Sequence, residues 1–138
     1  MKKPLVILFS FVLLFTSPIK AETVLYCQSE LSAGFLKENN SWKVSEFRPA
    51  RLTIKFNNDY SKVYESSYSS DFPMDCKVLY SFKPNQIHCT NSNGTGDAFI
   101  YNKNTKRFLF TSLSSGGYVF NPEDPDTENI LAGTCAVF

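Results

Sequence analysis

The sequence predicts an all-β domain, a small antiparallel meander that forms a barrel or sandwich and is stapled by two disulfides. Three observations carry this. From residue 22 onward, short runs of alternating apolar and polar residues recur between turn residues, the pattern of strands with one buried face. The cysteines form an even set of four, Cys27, Cys76, Cys89 and Cys135, as in small exported domains that oxidise their thiols. Helical patterning is thin: residues 29–37 are a weak candidate with poor apolar spacing, and Gly34 interrupts it.

The chain opens with Met1-Lys2-Lys3, an apolar run over residues 5–15 broken only by Ser10, then Pro18 and Ala21 before Glu22. A basic start, a short apolar stretch and a small residue before the cut are the parts of a secretory signal. Such a run forms only about 17 Å of helix, against roughly 30 Å of bilayer hydrocarbon, so it reads as a leader and not an anchor. We therefore expect a signal peptide over 1–21 and a single β-rich exported domain over 22–138, periplasmic or secreted, with no membrane span in the mature chain. Loss of Lys2, Lys3 and Lys20 leaves 11 basic against 13 acidic side chains. That balance gives no footprint for nucleic acid and no polybasic membrane patch.

Strands are expected at 24–28, 34–37 and 42–47, and most clearly at Arg51-Leu52-Thr53-Ile54-Lys55-Phe56, where Leu52, Ile54 and Phe56 share a face. Asn57-Asn58-Asp59 supplies a turn, since Asn and Asp tolerate left-handed angles and bond their own main chain. A returning strand through Lys62-Val63-Tyr64 completes a hairpin. Further strands are expected at 77–81 and 87–90. A second hairpin joins 98–101 to 106–110, and closing its turn between Tyr101 and Lys106 sets Phe99 opposite Phe108. Ser114-Ser115-Gly116-Gly117 reads as a turn before a strand at 118–120, residues 121–128 as an exposed loop, and 130–138 as the closing strand, with Gly133 at a bulge. Seven to ten strands in a closed or nearly closed meander follow.

Four cysteines allow three pairings. The favoured one is Cys27–Cys135, tying the first strand to the last, with Cys76–Cys89 nested inside. A turn at 83–86 would set Cys89 against Tyr80, so the short bridge needs a bulge or a wider loop.

Candidate chemistry is sparse. His88 is the chain's single histidine, and nothing resembling G-x-S-x-G accompanies it. A small hydrolase using His88 is the competing enzymatic reading, while the expectation is of no catalytic residues. The loop Asn91-Ser92-Asn93-Gly94-Thr95-Gly96-Asp97 lacks the acidic first and twelfth ligands of a calcium loop and reads as a turn. No metal site and no cofactor is expected. Residues 22–138 hold ten Phe, seven Tyr and one Trp. Most belong to a core, but Tyr60, Tyr64 and Tyr68, spaced by four, would share a face. With Tyr118 they form a candidate binding surface for a protein or glycan partner.

The segments Leu25-Tyr26-Cys27, Phe72-Pro73-Met74-Asp75-Cys76, Ser115-Gly116-Gly117-Tyr118 and Ala132-Gly133-Thr134-Cys135 resemble those of short exported bacterial proteins of unassigned function. The Tyr26-Cys27 opening and the Ser115–Tyr118 run also partly resemble the periplasmic inhibitors of c-type lysozyme, whose inhibitory loop is one residue longer. That second likeness implies a small exported β-barrel that inhibits a lysozyme-type enzyme. From the residues themselves the expected function is non-enzymatic, a binding or structural role in the cell envelope.

Overall fold

The computed structural model describes residues 22–65, 73–91, 96–113 and 127–138. Among them are nine strands and no helix: β1 (Thr23–Glu38), β2 (Ser41–Glu46), β3 (Arg51–Phe56), β4 (Lys62–Glu65), β5 (Met74–Lys77), β6 (Gln86–Asn91), β7 (Ala98–Asn102), β8 (Arg107–Ser112) and β9 (Glu128–Val137). All pairings are antiparallel. From β3 to β9 each strand pairs with the next, and β9 returns to β1, which also pairs with β3, so eight strands close a barrel. The extra strand, β2, extends the first hairpin.

That hairpin is longer than the sequence suggests. The expected strands at 24–28 and 34–37 fuse into one sixteen-residue strand, so the helical option at 29–37 is not realised. Its turn is Asn39-Asn40, both at positive φ, 48° and 64°, the backbone a two-residue hairpin needs. The returning chain runs along β1 in one continuous register through both β2 and β3. It is interrupted at 47–50, where Pro49 has no N–H to donate. Across that gap Ser29 takes over: its N–H donates to Ala50 O at 2.9 Å, and its buried hydroxyl accepts from Ala50 N–H at 2.6 Å.

The barrel interior is packed with side chains. Leu25, Ile54, Phe56, Ile87, Phe99 and Tyr101 are almost fully buried. Phe56 sits among aromatic rings, 5.0 Å from Tyr60, 6.0 Å from Tyr101 and 6.1 Å from Phe99. The alternation read in Arg51–Phe56 holds, with Leu52, Ile54 and Phe56 inward.

Both disulfides join facing strands, Cys27–Cys135 between β1 and β9 and Cys76–Cys89 between β5 and β6. Phe138 N–H donates to Val24 O and Cys135 N–H to Lys106 O. Antiparallel alternation then makes Cys27–Cys135 a pair without main-chain bonds between them, where facing side chains come closest. Two such bridges point to an oxidising, extracytoplasmic environment.

Three expectations are corrected. The strand at 77–81 is absent, because β5 ends at Lys77 and residues 78–85 form the wide loop that lets Cys76 face Cys89 directly. In the β7–β8 hairpin Phe99 faces Phe110, and Tyr101 faces Phe108. There Asn102 Oδ1 accepts from the N–H groups of Asn104 and Thr105, and Lys106 adopts a φ of 59°, so the turn closes further out than expected. Phe99 and Phe108 still stack, at 5.9 Å. Finally, the register shift beside Gly133 places the extra residue in β1, between Ser29 and Leu31. Gly133 lies so close to the Gln28 carbonyl that a Cβ there would overlap it. The turn at 57–59 is as expected: Asn57 Oδ1 accepts from Lys62 N–H and Asp59 Oδ1 from Ser61 N–H. The expected features at 114–120, most of the loop at 121–128 and the leader at 1–21 lie outside the described residues.

Candidate functional site

The tyrosines do not form the row that their spacing suggested. Tyr60 lies in the β3–β4 turn at a φ of 57°, ahead of the strand. Its ring packs on Phe56, and its hydroxyl accepts from the Thr23 hydroxyl at 3.3 Å. Tyr64 is on β4, 40 % exposed. The turn between them breaks the periodicity that the spacing of four relied on. Tyr68 and Tyr118 lie outside the described residues, as does the Ser115-Gly116-Gly117 run.

His88 stands on the outer side of β6, half-buried, with its ring edge-on to Tyr80 at 5.9 Å. Its Nε2 is buried and has no hydrogen-bond partner among the described residues. The neighbouring Cys89 is held in its disulfide, so no thiol is available for a Cys–His pair. Among the described residues no three His, Cys, Asp or Glu side chains cluster as metal ligands would.

The phenol of Tyr101 has a displaced pKa. Burial pushes its phenol above the ordinary value of 10.0, and the nearby Tyr60 adds to the effect. The folded state therefore favours the neutral phenol. The stability linked to this group is fully present below pH 10.0 and is lost as pH rises through the folded-state value. In urea titrations as pH rises from 10.0 toward the folded-state value, the native chain should lose stability faster than Tyr101→Phe. Parallel curves would contradict the assignment.

A feature with the geometry of a binding site among the described residues is an apolar groove outside the barrel. Past the β1 bulge, Leu31, Ala33 and Phe35 turn outward instead of into the core. Register places Val44 beside Phe35, Ile130 beside Ala33 and Ala132 beside Leu31. Together they line an open groove of about 370 Å³, with Leu31 71 % and Val44 78 % exposed. Gly34 forms part of its floor, where β1 and β9 run so close that a Cβ would overlap the Glu128 carbonyl.

One wall of the groove is β2. Phe47 N–H donates to Ser32 O at 2.9 Å. By antiparallel alternation Ser45 and Lys43 also bond toward β1, and the main-chain groups of Val44 and Glu46 point away. Among the described residues no strand pairs with that far edge. Lys43, bridged to Glu38 at 3.3 Å across the hairpin, is the kind of charged side chain that keeps an edge from indiscriminate pairing. Sequence pattern alone does not single out this site, because the apolar residues Leu31, Phe35 and Val44 come together on the outer face only through the bulge in β1 and its register with β2. No protein-family model matches the chain, and no curated protein matches it.

Proposed function

We propose that this chain is a non-enzymatic binding domain of the cell envelope, periplasmic or secreted, that takes an extended segment of a partner protein along the edge of β2 that faces away from β1, beside Val44 and Glu46. The observation that carries the reading is Val44, whose side chain is 78 % exposed beside the apolar groove while its main-chain groups face outward. A strand added there would gain main-chain hydrogen bonds from the edge. Its alternate side chains would lie against Leu31, Phe35 and Ile130 for selectivity, the usual division of labour in strand addition. The packed interior leaves the outer surface as the place for recognition. The disulfides and the leader-like N-terminus support an exported location.

A photo-cross-linking amino acid at Val44 tests this in cells of the host. A discrete heterologous adduct is expected from position 44 and none from Lys55, which is exposed on β3 with both neighbouring strands paired. Identical adduct patterns from both positions, or none from 44, would refute the reading. An adduct of two copies of the chain would replace the foreign partner with self-pairing.

A further inference from the structure

Antiparallel alternation brings five described pieces of chain to one end of the barrel. They are the start of β1, the turn at 57–61, the loop at 78–85, the turn at 103–106 and the end of β9. They are tied together there. Lys103 N–H donates to Asn85 O at 2.9 Å, Lys103 Nζ lies 5.1 Å from the centre of the Tyr60 ring, and Tyr60 is bonded to Thr23.

This end gathers cations. Lys62, Lys77, Lys83, Lys103, Lys106 and Arg107 sit in or beside these turns, against the carboxylates of Glu22 and Asp59. Asp75 engages Lys62 at 3.6 Å. The balance is positive even though residues 22–138 as a whole carry more acids than bases.

From the middle of the cations projects an apolar tip. Val78, Leu79 and Tyr80 are nearly half exposed, and Phe82 is 74 % exposed. The loop has a definite shape: Lys83 N–H donates to Tyr80 O and Gln86 N–H to Lys83 O. Tyr80 and Phe82 pack at 5.4 Å, and Lys83 Nζ lies 5.7 Å from the centre of the Phe82 ring. An ordered apolar cluster left in water marks an interaction surface.

We propose that this end of the barrel docks on an anionic lipid surface, with Phe82 and Leu79 entering the headgroup region and Lys77, Lys83 and Lys103 meeting lipid phosphates. Apolar insertion combined with basic attraction is how peripheral proteins hold such a surface. The lysine stems can lie along the apolar layer while the ammonium groups stay with phosphate. A single-stranded nucleic acid would use open aromatic faces along a basic groove. Here the apolar residues form a projecting tip that includes the aliphatic Val78 and Leu79, which favours lipid. The Asn39-Asn40 turn of the β1–β2 hairpin points to the opposite end, so this docking leaves the β2 edge accessible.

Co-sedimentation of the disulfide-intact domain with vesicles tests the proposal. The probes are phosphatidylcholine vesicles with and without one third phosphatidylglycerol. Binding to the anionic vesicles that weakens with salt is expected, with little binding to the neutral ones. Phe82→Ser should weaken it about tenfold. Lys77→Glu combined with Lys83→Glu should weaken it by more than about tenfold, while Leu109→Ser, on the side of the barrel, should leave it unchanged. Far-UV circular dichroism confirms that each variant is folded. Absence of binding to anionic vesicles, equal binding to neutral ones, or full binding by both tip variants would overturn the proposal. So would preference for a DNA oligonucleotide over the vesicles.

Discussion

Replacing Cys27 and Cys135 together by alanine is expected to lower the free energy of unfolding by about 4–5 kcal/mol. The two residues are 108 apart in sequence, so their bond removes a long loop's worth of freedom from the unfolded chain. In the folded state it clamps the β1–β9 ladder that closes the barrel. Domains of this size are stable by about 5–15 kcal/mol, so the double variant should be marginal at 25 °C or unfolded. Removing Cys76 and Cys89 together should cost less, about 3 kcal/mol, because they are only 13 apart in sequence. Urea unfolding monitored by far-UV circular dichroism decides the matter. A cost below about 1 kcal/mol for the long bridge would mean that main-chain pairing alone holds the seam.

Phe56→Ala should cost about 3–5 kcal/mol. Phe56 has no solvent exposure and packs near the rings of Tyr60, in the adjoining turn, and of Phe99 and Tyr101 on β7. Its removal leaves a void that strands fixed by their ladders cannot close. Leu109→Ala, with the side chain on the outer surface and 37 % exposed, should change stability by under about 1 kcal/mol. If the two variants lost similar stability in urea, the aromatic cluster would not be the centre of the core.

Both effects were foreshadowed in the sequence, for different reasons. The alternation in Arg51–Phe56 named Phe56 as a core residue because a strand's side chains change face at every step. The pairing of first with last cysteine followed from the need to tie the opening strand to the closing one. The two hairpin turns at 57–59 and 102–105 were legible in their Asn and Asp residues, whose side chains bond the turn's own main chain.

Register was less legible. The β7–β8 pairing differs from expectation by two residues because Asn102 ends β7 and the left-handed Lys106 belongs to the turn. A shift by two keeps the same side chains inward, so hydrophobic patterning cannot detect it. The strand expected at 77–81 read as β because Val78, Leu79 and Tyr80 are good strand formers. The disulfide register instead leaves them in a loop with their side chains in water.

By itself the sequence determined the class of fold and the inward face of its clearest strands, and it favoured, among three possibilities, the thiol pairing that the fold adopts. Each of these depends on local periodicity or on a covalent bond that few residues can make. The tertiary structure alone decided which apolar residues face outward and where the charges collect. A bulge between Ser29 and Leu31 turns Leu31 and Phe35 out to meet Val44, and antiparallel alternation carries lysines far apart in sequence to one end of the barrel. Net charge and composition add over the chain without regard to position. A surface that could recognise something depends on position, which exists only once the strands have paired.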